Sequence, residues 1–464
     1  MWSILGQYNH PRSFKMTEPL LSDTELVKRL GAHPALRMQI ESLILAVEDE
    51  TGELKTADAA EMQVIEVIRR TGHDALQAWA SQQVAKVSQE PQQTAGTWSE
   101  GKKKLCWHTT FGDISVEEPQ YREGTKRIRP FAQSAQVSNR GCSRPLQRVV
   151  TDFGADQSFA QAADKLVEHY GVVLGESTIA RITEGHAQTM FETAPPAQEW
   201  PTQPGTSTVI IVETDGGMVP IVETDETQAD KRKGKKLRWQ EAKMCLAHPQ
   251  GSKTLAFGGT LNGDVDTAGQ CLFDCAVQAG FGTSTPIHGV GDGAPWIADQ
   301  VEKKFGAQSS YLIDFYHTCD YLGAASKAII GDEQGQKTWM DEQKSRLKKD
   351  QASAVIQELQ THLESPAVPD SEAPVRRCHR YINNRPDQLN YQDAIKRGLP
   401  IGSGEIESSH RYIVQQRMKR PGTWWSPHNA EHMLALRLAR ANRRWDGYWQ
   451  KISNRPNAKF TTSL

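Results

Sequence analysis

One stretch limits what this chain can fold into more than any other: Val209-Ile210-Ile211-Val212-Glu213-Thr214-Asp215-Gly216-Gly217. β-Branched side chains have few χ1 rotamers and fit a pleated surface, so residues 209–214 read as a buried strand. The Pro-, Gly-, Ser- and Thr-rich segment before it marks where that strand begins. Asp215 would then stand at the strand end, where Gly216 and Gly217 let the backbone turn and a ligand approach. Residues 218–224 read as a second strand, paired with the first as a hairpin round the glycines. Two later stretches again set acids among glycines: His288-Gly289-Val290-Gly291-Asp292-Gly293 and Gly402-Ser403-Gly404-Glu405-Ile406-Glu407. A lone Asp-Gly is ordinarily a turn; three such acids on separate elements predict one acidic site.

The chain has 464 residues, which is more than one simple core accommodates, and about two to four domains are expected. A net charge of -2 gives no global preference for nucleic acid, so any basic surface must be local. Seven cysteines without a CxxC pair leave a zinc ribbon unsupported. Their odd number, without a signal-peptide pattern, suits a reducing compartment. No apolar run has the length of a membrane span. Residues 1–15 lack an apolar signal core, and Met16-Thr17-Glu18-Pro19 would open a chain naturally.

In chain order, residues 1–95 read as a helical region, with helices at 57–71 and 74–87 and a polar linker at 88–97. Residues 100–150 form a small β region, two short strands round Gly112-Asp113, followed by basic residues Arg122, Lys126, Arg127 and Arg129. Residues 151–195 resemble a helix-turn-helix: Ser158 caps one helix, Gly171 ends it, and the next would turn Ser177, Thr178 and Arg181 outward. An ordinary helical hairpin has the same spacing. Residues 205–325 alternate strand and helix: the two strands above, a basic loop at 231–238, a strand at 241–247, a helix at 267–279, a strand at 287–291, a helix at 294–305 and a strand at 310–315. Three hairpin-type strands followed by helix, strand, helix, strand is the order of an RNase H-like α/β fold. Residues 326–398 read as a helical insertion. Residues 399–450 return to the core with basic, Trp-rich helices carrying Arg411, Arg417, Lys419, Arg420, Arg437, Arg440, Trp424 and Trp425. Cations interleaved with aromatics suit nucleic acid, and a solvated helix packed by tryptophans is the competing reading.

Phosphodiester chemistry needs a polarised phosphate, an activated nucleophile and a stabilised leaving oxygen. Two Mg2+ ions about 3.5–4 Å apart supply all three, and such hard cations take carboxylate oxygens. Asp215, Asp292 and Glu407 are the acids expected to converge. Each has a rival: Asp225 in a second Ile-Val-Glu-Thr-Asp copy, Glu213 on the same strand face as Asp215, Asp314 at the end of the last strand, and Glu405 beside Glu407. Glu405 and Glu407 would point about 200° apart on a helix, so only one of them faces the site.

Four segments carry a resemblance: Glu213-Thr214-Asp215-Gly216, Gly291-Asp292-Gly293-Ala294-Pro295-Trp296, Asp314-Phe315-Tyr316-His317 and Gly402-Ser403-Gly404-Glu405-Ile406-Glu407-Ser408. Through them residues 100–450 resemble DDE transposases of bacterial insertion sequences, most closely the ISKra type. The resemblance implies an RNase H-like core with Asp215, Asp292 and Glu407 as catalytic metal ligands for Mg2+, for which Mn2+ can substitute. It makes Asp314 and His317 a supporting motif downstream of the second acid, and expects a helical insertion before the third. It implies cleavage at terminal inverted repeats, strand transfer into target DNA, assembly of copies on paired ends, and a prokaryotic, cytoplasmic, nucleoid-associated setting. The helix-turn-helix and Arg411, Arg417, Lys419 and Arg420 would bind DNA, and Trp424 or Trp425 would stack on a displaced base. No cysteine cluster accompanies the N-terminal strands, so no zinc module is expected there. A nuclease without strand transfer and a non-catalytic helix-turn-helix regulator are the alternatives.

Overall fold

A computed structural model describes residues 21–48, 56–89, 97–225, 227, 230 and 234–453. The Met16 start, most of the 88–97 linker and residues 231–233 of the expected basic loop lie outside the described residues; residues 235–238 of that loop are strand. The described residues divide into two compact units, one of those up to 147 with 166–173, the other of 148–165 with those from 174 to 453. No helix among the described residues is long and apolar enough to cross a membrane.

In the first unit a 33-residue helix, Ala57–Gln89, lies over the antiparallel strands β1 (Thr97–Thr109), β2 (Gly112–Glu123) and β3 (Lys126–Ile128). Two helices were expected where one is found. Gly72 does not break it: a Cβ there would collide with the Phe111 ring, so the glycine serves close packing. Alternation along β2 turns Ile114 and Val116 onto Ala80, Leu105, Trp107 and Phe131. The basic hairpin is largely neutralised within the unit. Arg129 reaches buried Glu118 at 2.9 Å, and Arg122 and Arg127 flank Glu100 at 3.6 and 3.7 Å.

The second unit is built on a five-stranded mixed sheet of β4 (Ile210–Thr224), β5 (Lys235–Pro249), β6 (Ala256–Thr260), β7 (Ile287–Gly291) and β8 (Ser309–Ile313), in the order β6-β5-β4-β7-β8. β4, β5 and β6 are antiparallel neighbours; β4, β7 and β8 run parallel. The expected hairpin round Gly216 and Gly217 is corrected here. Both glycines stay in the ladder, opposite Lys243 and Ala242, and β4 runs unbroken to Thr224. The strand count survives because β6, unforeseen in a glycine-rich stretch, supplies the third antiparallel member.

Ile210 and Val212 face the helices Val265–Gln278 and Pro295–Phe305 through Leu272, Phe273, Val301 and Phe305. The opposite face of β4 and β5, with Val219, Ile221, Met244 and Leu246, packs on Ile406, Ile413 and Val414 and on Met433 and Leu434 of the helix Pro427–Ala441. The helices between residues 333 and 396 share a core with Ile211 and Ile313, so the expected insertion is packed into the unit. The helices Phe159–Tyr170 and Glu176–Glu192 form as expected, with Ser158 Oγ accepting from Gln161 N at 3.2 Å and Gly171 at φ +64°. Ile179 and Ile182 are buried and Ser177 is exposed.

Two buried charges tie the C-terminal helices to the rest. Glu431 accepts from Thr260 Oγ1 at 3.0 Å, Leu261 N at 2.8 Å and Asn262 N at 2.6 Å. Arg437 donates to the carbonyls of Tyr412, Ile413 and Ala155 and to Asp156. Glu431→Ala would strand these buried donors at the exit of β6. It should lower the free energy of unfolding by about 2–4 kcal/mol, read as a shift of the urea midpoint; a loss under about 1 kcal/mol would mean the donors find other partners.

Candidate functional site

Strand register sets out the site. β4 and β7 pair in parallel as far as Glu213 opposite Val290, and β7 and β8 as far as Gly291 opposite Ile313. Asp215 lies two residues past Glu213, Asp292 two past Val290, and Asp314 one past Ile313. The three acids therefore sit at one level, on adjacent strands whose spacing is about 4.8 Å. Asp215 itself is within β4, since that strand continues beyond the two parallel ones.

Asp215 is half-buried, and its Oδ1 accepts from Gly216 N at 2.7 Å. Burial raises its pKa; His410 and the Gly216 N–H oppose this, while the charges of Asp292 and Glu241 add to it. Asp292 Oδ1 accepts from Ala294 N at 2.9 Å, and the Asp292 carbonyl accepts from Tyr381 Oη at 2.7 Å. Arg385 donates to Gly293 O at 2.7 Å, which pins the same loop. Glu407 projects exposed from the helix Gly404–Ser409. Burial, then the charges of Asp314 and Asp215, raise its pKa, and His317 lowers it. Asp215 thus responds to Asp292, and Glu407 to Asp215: the three acids share one electrostatic field.

Asp314 has a different task. It is buried, and its Oδ1 caps the helix Phe315–Ile329 by accepting from Tyr316 N at 2.6 Å and His317 N at 3.0 Å. Its Oδ2 accepts from Ser403 N at 2.6 Å and Ser403 Oγ at 2.7 Å. Glu213 is 1% exposed and accepts from Ile406 N at 2.8 Å. Burial, with Glu405 and Asp314 nearby, pushes its carboxyl up to about 8 against the pull of the Ile406 N–H and His248. Glu405 turns away from Glu407 to meet His248 Nε2 at 2.7 Å. Glu213, His248, Asp314, Glu405 and Glu407 line a cleft of about 630 Å3.

Sequence reading missed His410. It lies three residues past Glu407, one helical turn, and that spacing was the available signal. The ring is 2% exposed, with Nε2 3.0 Å from Asp215 O and 3.9 Å from Asp215 Oδ2. Gly217 must be glycine here: a Cβ would stand 2.6 Å from the imidazole. His410 also opens a π-helical turn, His410–Gln415, a distortion often found at functional sites.

Two expected nucleic-acid contacts belong to the core instead. Arg417 is 1% exposed, donates to Gly154 O at 2.9 Å, and lies between the rings of Phe159 and Trp425 at 4.8 and 4.7 Å. Burial, with Arg420 and Arg437 adding repulsion, lowers its pKa to about 10. Trp425 is buried and donates Nε1–H to Met418 O. Arg420 is half-buried against Asp156 O and Gln161, and Arg440 pairs with Asp152 and Asp156. Arg411, Lys419 and Trp424 remain exposed; Thr178 and Arg181 are half-buried.

Among the described residues, no three His, Cys, Asp or Glu side chains stand close enough to enclose one ion. The donor set still suits a divalent cation. Mg2+ characteristically takes one or two carboxylates and completes its shell with water and phosphate, and it does not need an all-protein cage.

Comparison with known proteins adds a family likeness. Residues 283–451 match UPF0236, an uncharacterised protein family. That stretch spans Asp292, Asp314, His317, Glu405, Glu407 and His410. A UPF0236 protein in the vanSb 3' region of Streptococcus gallolyticus is 22% identical over 370 residues, covering 73% of each chain.

The raised carboxyl of Glu213 has a consequence for stability. Between its ordinary value of 4.5 and about 8, the folded chain holds a proton that the unfolded chain releases. Stability should therefore fall as pH rises through that window. Urea unfolding from pH 5 to pH 9 should show that fall in the natural chain and a flatter profile in Glu213→Gln. Equal slopes would mean that Glu213 is ionised in the fold.

Proposed function

We propose that this chain is a DNA transposase, cleaving and joining phosphodiester bonds at Asp215, Asp292 and Glu407. The observation that carries the reading is the parallel register of β4 and β7, which brings Asp215 level with Asp292 while Glu407 shares their field. The strand order β6-β5-β4-β7-β8, an antiparallel meander followed by two parallel strands, is the arrangement an RNase H-like core requires. Similarity to the UPF0236 family is compatible with this reading but names no activity.

Asp292 raises the proton affinity of Asp215, and Asp215 that of Glu407, so the carboxylates repel one another and would repel a phosphate. Divalent cations would reverse that potential: two Mg2+ ions, or Mn2+ on the same donors, supply Lewis-acid activation of the attacking and leaving oxygens. Asp215, Asp292 and Glu407 are the residues that would hold them. Asp314 and Glu213 fix the segment before and within the Glu407 helix through Ser403 and Ile406. His410 steadies the backbone at Asp215.

In the first reaction a water oxygen bonds to the phosphorus at an element end, and the 3' oxygen leaves and takes a proton. In the second, that 3'-hydroxyl bonds to a target phosphorus, and the target's own 3' oxygen leaves. The two bonds made replace two bonds broken, so no other energy source is needed. Double-stranded DNA, as element ends and as target, is the substrate, and two or more copies on paired ends are the expected assembly. Exposed Arg411 and Lys419, with Ser177 on the helix Glu176–Glu192, are the surface contacts retained for DNA backbone.

The test uses a supercoiled plasmid carrying the DNA that flanks the gene. Asp215→Asn, Asp292→Asn and Glu407→Gln should each lower Mg2+-dependent cleavage at least about a hundredfold, the scale of losing one charge-stabilising group, with DNA binding retained. Glu405→Gln should cost much less. Full activity in Asp215→Asn would overturn the site. Cleavage without joining of pre-cut ends to a target plasmid would reduce the protein to a nuclease.

A further inference from the structure

The outer half of β4 and β5 leaves the sheet. β7 pairs only with residues 210–213 of β4, and β6 only with residues 243–247 of β5. Residues 218–224 and 235–241 therefore continue as a two-stranded arm. A lone ribbon is marginal in water, and this one is braced on one side only. Val219 and Ile221 are buried on the helical core, and Trp425 runs along the free edge of β4, its N–H donating to Pro220 O at 3.2 Å and its carbonyl accepting from Val222 N at 2.8 Å.

The other face of the arm is apolar and open. Trp239 is 54% exposed, Leu237 58%, Met218 44% and Trp424 39%. Trp239 sits opposite Pro220 on β5, and Trp424 precedes the segment on the other side of Pro220. Their ring centroids are 6.2 Å apart with planes 57° from parallel. Among the described residues, the hydrophobic clusters leave these faces out. Lys419 Nζ lies 6.0 Å from the Trp239 ring centroid, and Lys235 and Lys236 are exposed farther along the arm. The acids of the arm are engaged: Glu223 by Arg238 at 2.7 Å and Glu241 by Lys243 at 3.3 Å. The face therefore combines two open indoles with Lys419, and Lys235 follows on the same side of the ribbon, while Lys236 lies on the other side opposite Glu223.

We infer that Trp239 and Trp424, with Lys419 beside them, form a stacking platform for unpaired nucleotides of a DNA strand. Indole faces stack on any base, and lysines hold the phosphates between bases, so such a platform reads single-strandedness and not sequence. A duplex keeps its base faces covered and gains nothing from it. This inference rests on the DNA reading above and adds a ligand class to it: frayed or displaced single strand. Sequence reading found Trp424 and Lys419; Trp239, on another element, is supplied by the arm.

The experiment measures binding of the full chain to a fluorescein-labelled oligo-dT and to a labelled duplex of equal length, by anisotropy at fixed salt. Trp239→Ala and Trp424→Ala should each weaken oligo-dT binding about tenfold, Trp239→Phe should restore most of it, and duplex affinity should not move. Both sites are exposed, and an unchanged urea midpoint would verify folding. Unchanged oligo-dT affinity in both alanine variants overturns the platform while leaving the DNA reading intact. A shift of oligomeric state in those variants without loss of oligo-dT binding also overturns it, and makes the face a protein contact. A natural chain that binds neither oligo-dT nor duplex overturns the DNA reading and the platform together.

Discussion

Asp314 makes the hydrogen-bonded joint on which the geometry of the site depends. One carboxylate oxygen takes two backbone N–H groups at the start of the helix Phe315–Ile329, and the other takes the N–H and hydroxyl of Ser403, 89 residues later. Charge-assisted bonds to a buried carboxylate are among the stronger ones in a protein, and stranding their donors is costly. Through them the end of β8 fixes the Gly402-Ser403-Gly404 turn, and that turn aims the helix carrying Glu407. Glu213 makes the second fastening, at Ile406 N. Asp314 and Glu213, two of the acids that rival the candidate ligands in sequence, thus hold the polypeptide in place, and the ligands themselves are left with few bonds. An acid whose lone pairs are already filled by the fold makes a poor metal ligand, and this separates Asp314 from Asp292 on physical grounds.

Much of this was legible in sequence, because strand periodicity and glycine placement are local signals. The strand at 287–291 and the helices on either side were readable to within a residue or two, as were Ser158 as a cap and Gly171 as a stop. What was misread at Gly216-Gly217 is instructive. Glycine serves turns and it serves close approach, and a sequence does not say which. Here the neighbours are Glu241 across β5 and His410 from a segment nearly 200 residues away, both invisible to a local reading. The same ambiguity hid the continuity of the helix Ala57–Gln89 at Gly72, and β6 was hidden by glycines that admit Cys271, Cys275 and Met244.

The C-terminal basic residues were misread for a different reason. Composition counts cations but cannot count their partners. Arg437 is spent on the carbonyls that the π-helical turn leaves open, Arg417 on the gap between Phe159 and Trp425, and Arg440 on Asp152 and Asp156. Each of those partners is far away in sequence. The cations that remain exposed, Arg411 and Lys419, are fewer than the count suggested, and one of them sits beside open indoles.

The site also carries an energetic cost that packing alone does not justify. Asp215, Glu407 and Glu213 all hold their protons more tightly than free carboxyls do, chiefly through burial and partly because other acids stand near them. Folding could have avoided that repulsion with amides or apolar residues of similar size. Instead Gly217 is kept small to admit His410, a π-helical turn is accepted to bring it in, and a buried arginine satisfies the carbonyls which that turn exposes. Such distortions persist where the surrounding structure over-determines them, and they cluster at working sites. Taken together, they mark the neighbourhood of Asp215 as a place where the chain holds negative charge against its own stability, which is the condition a bound cation would relieve.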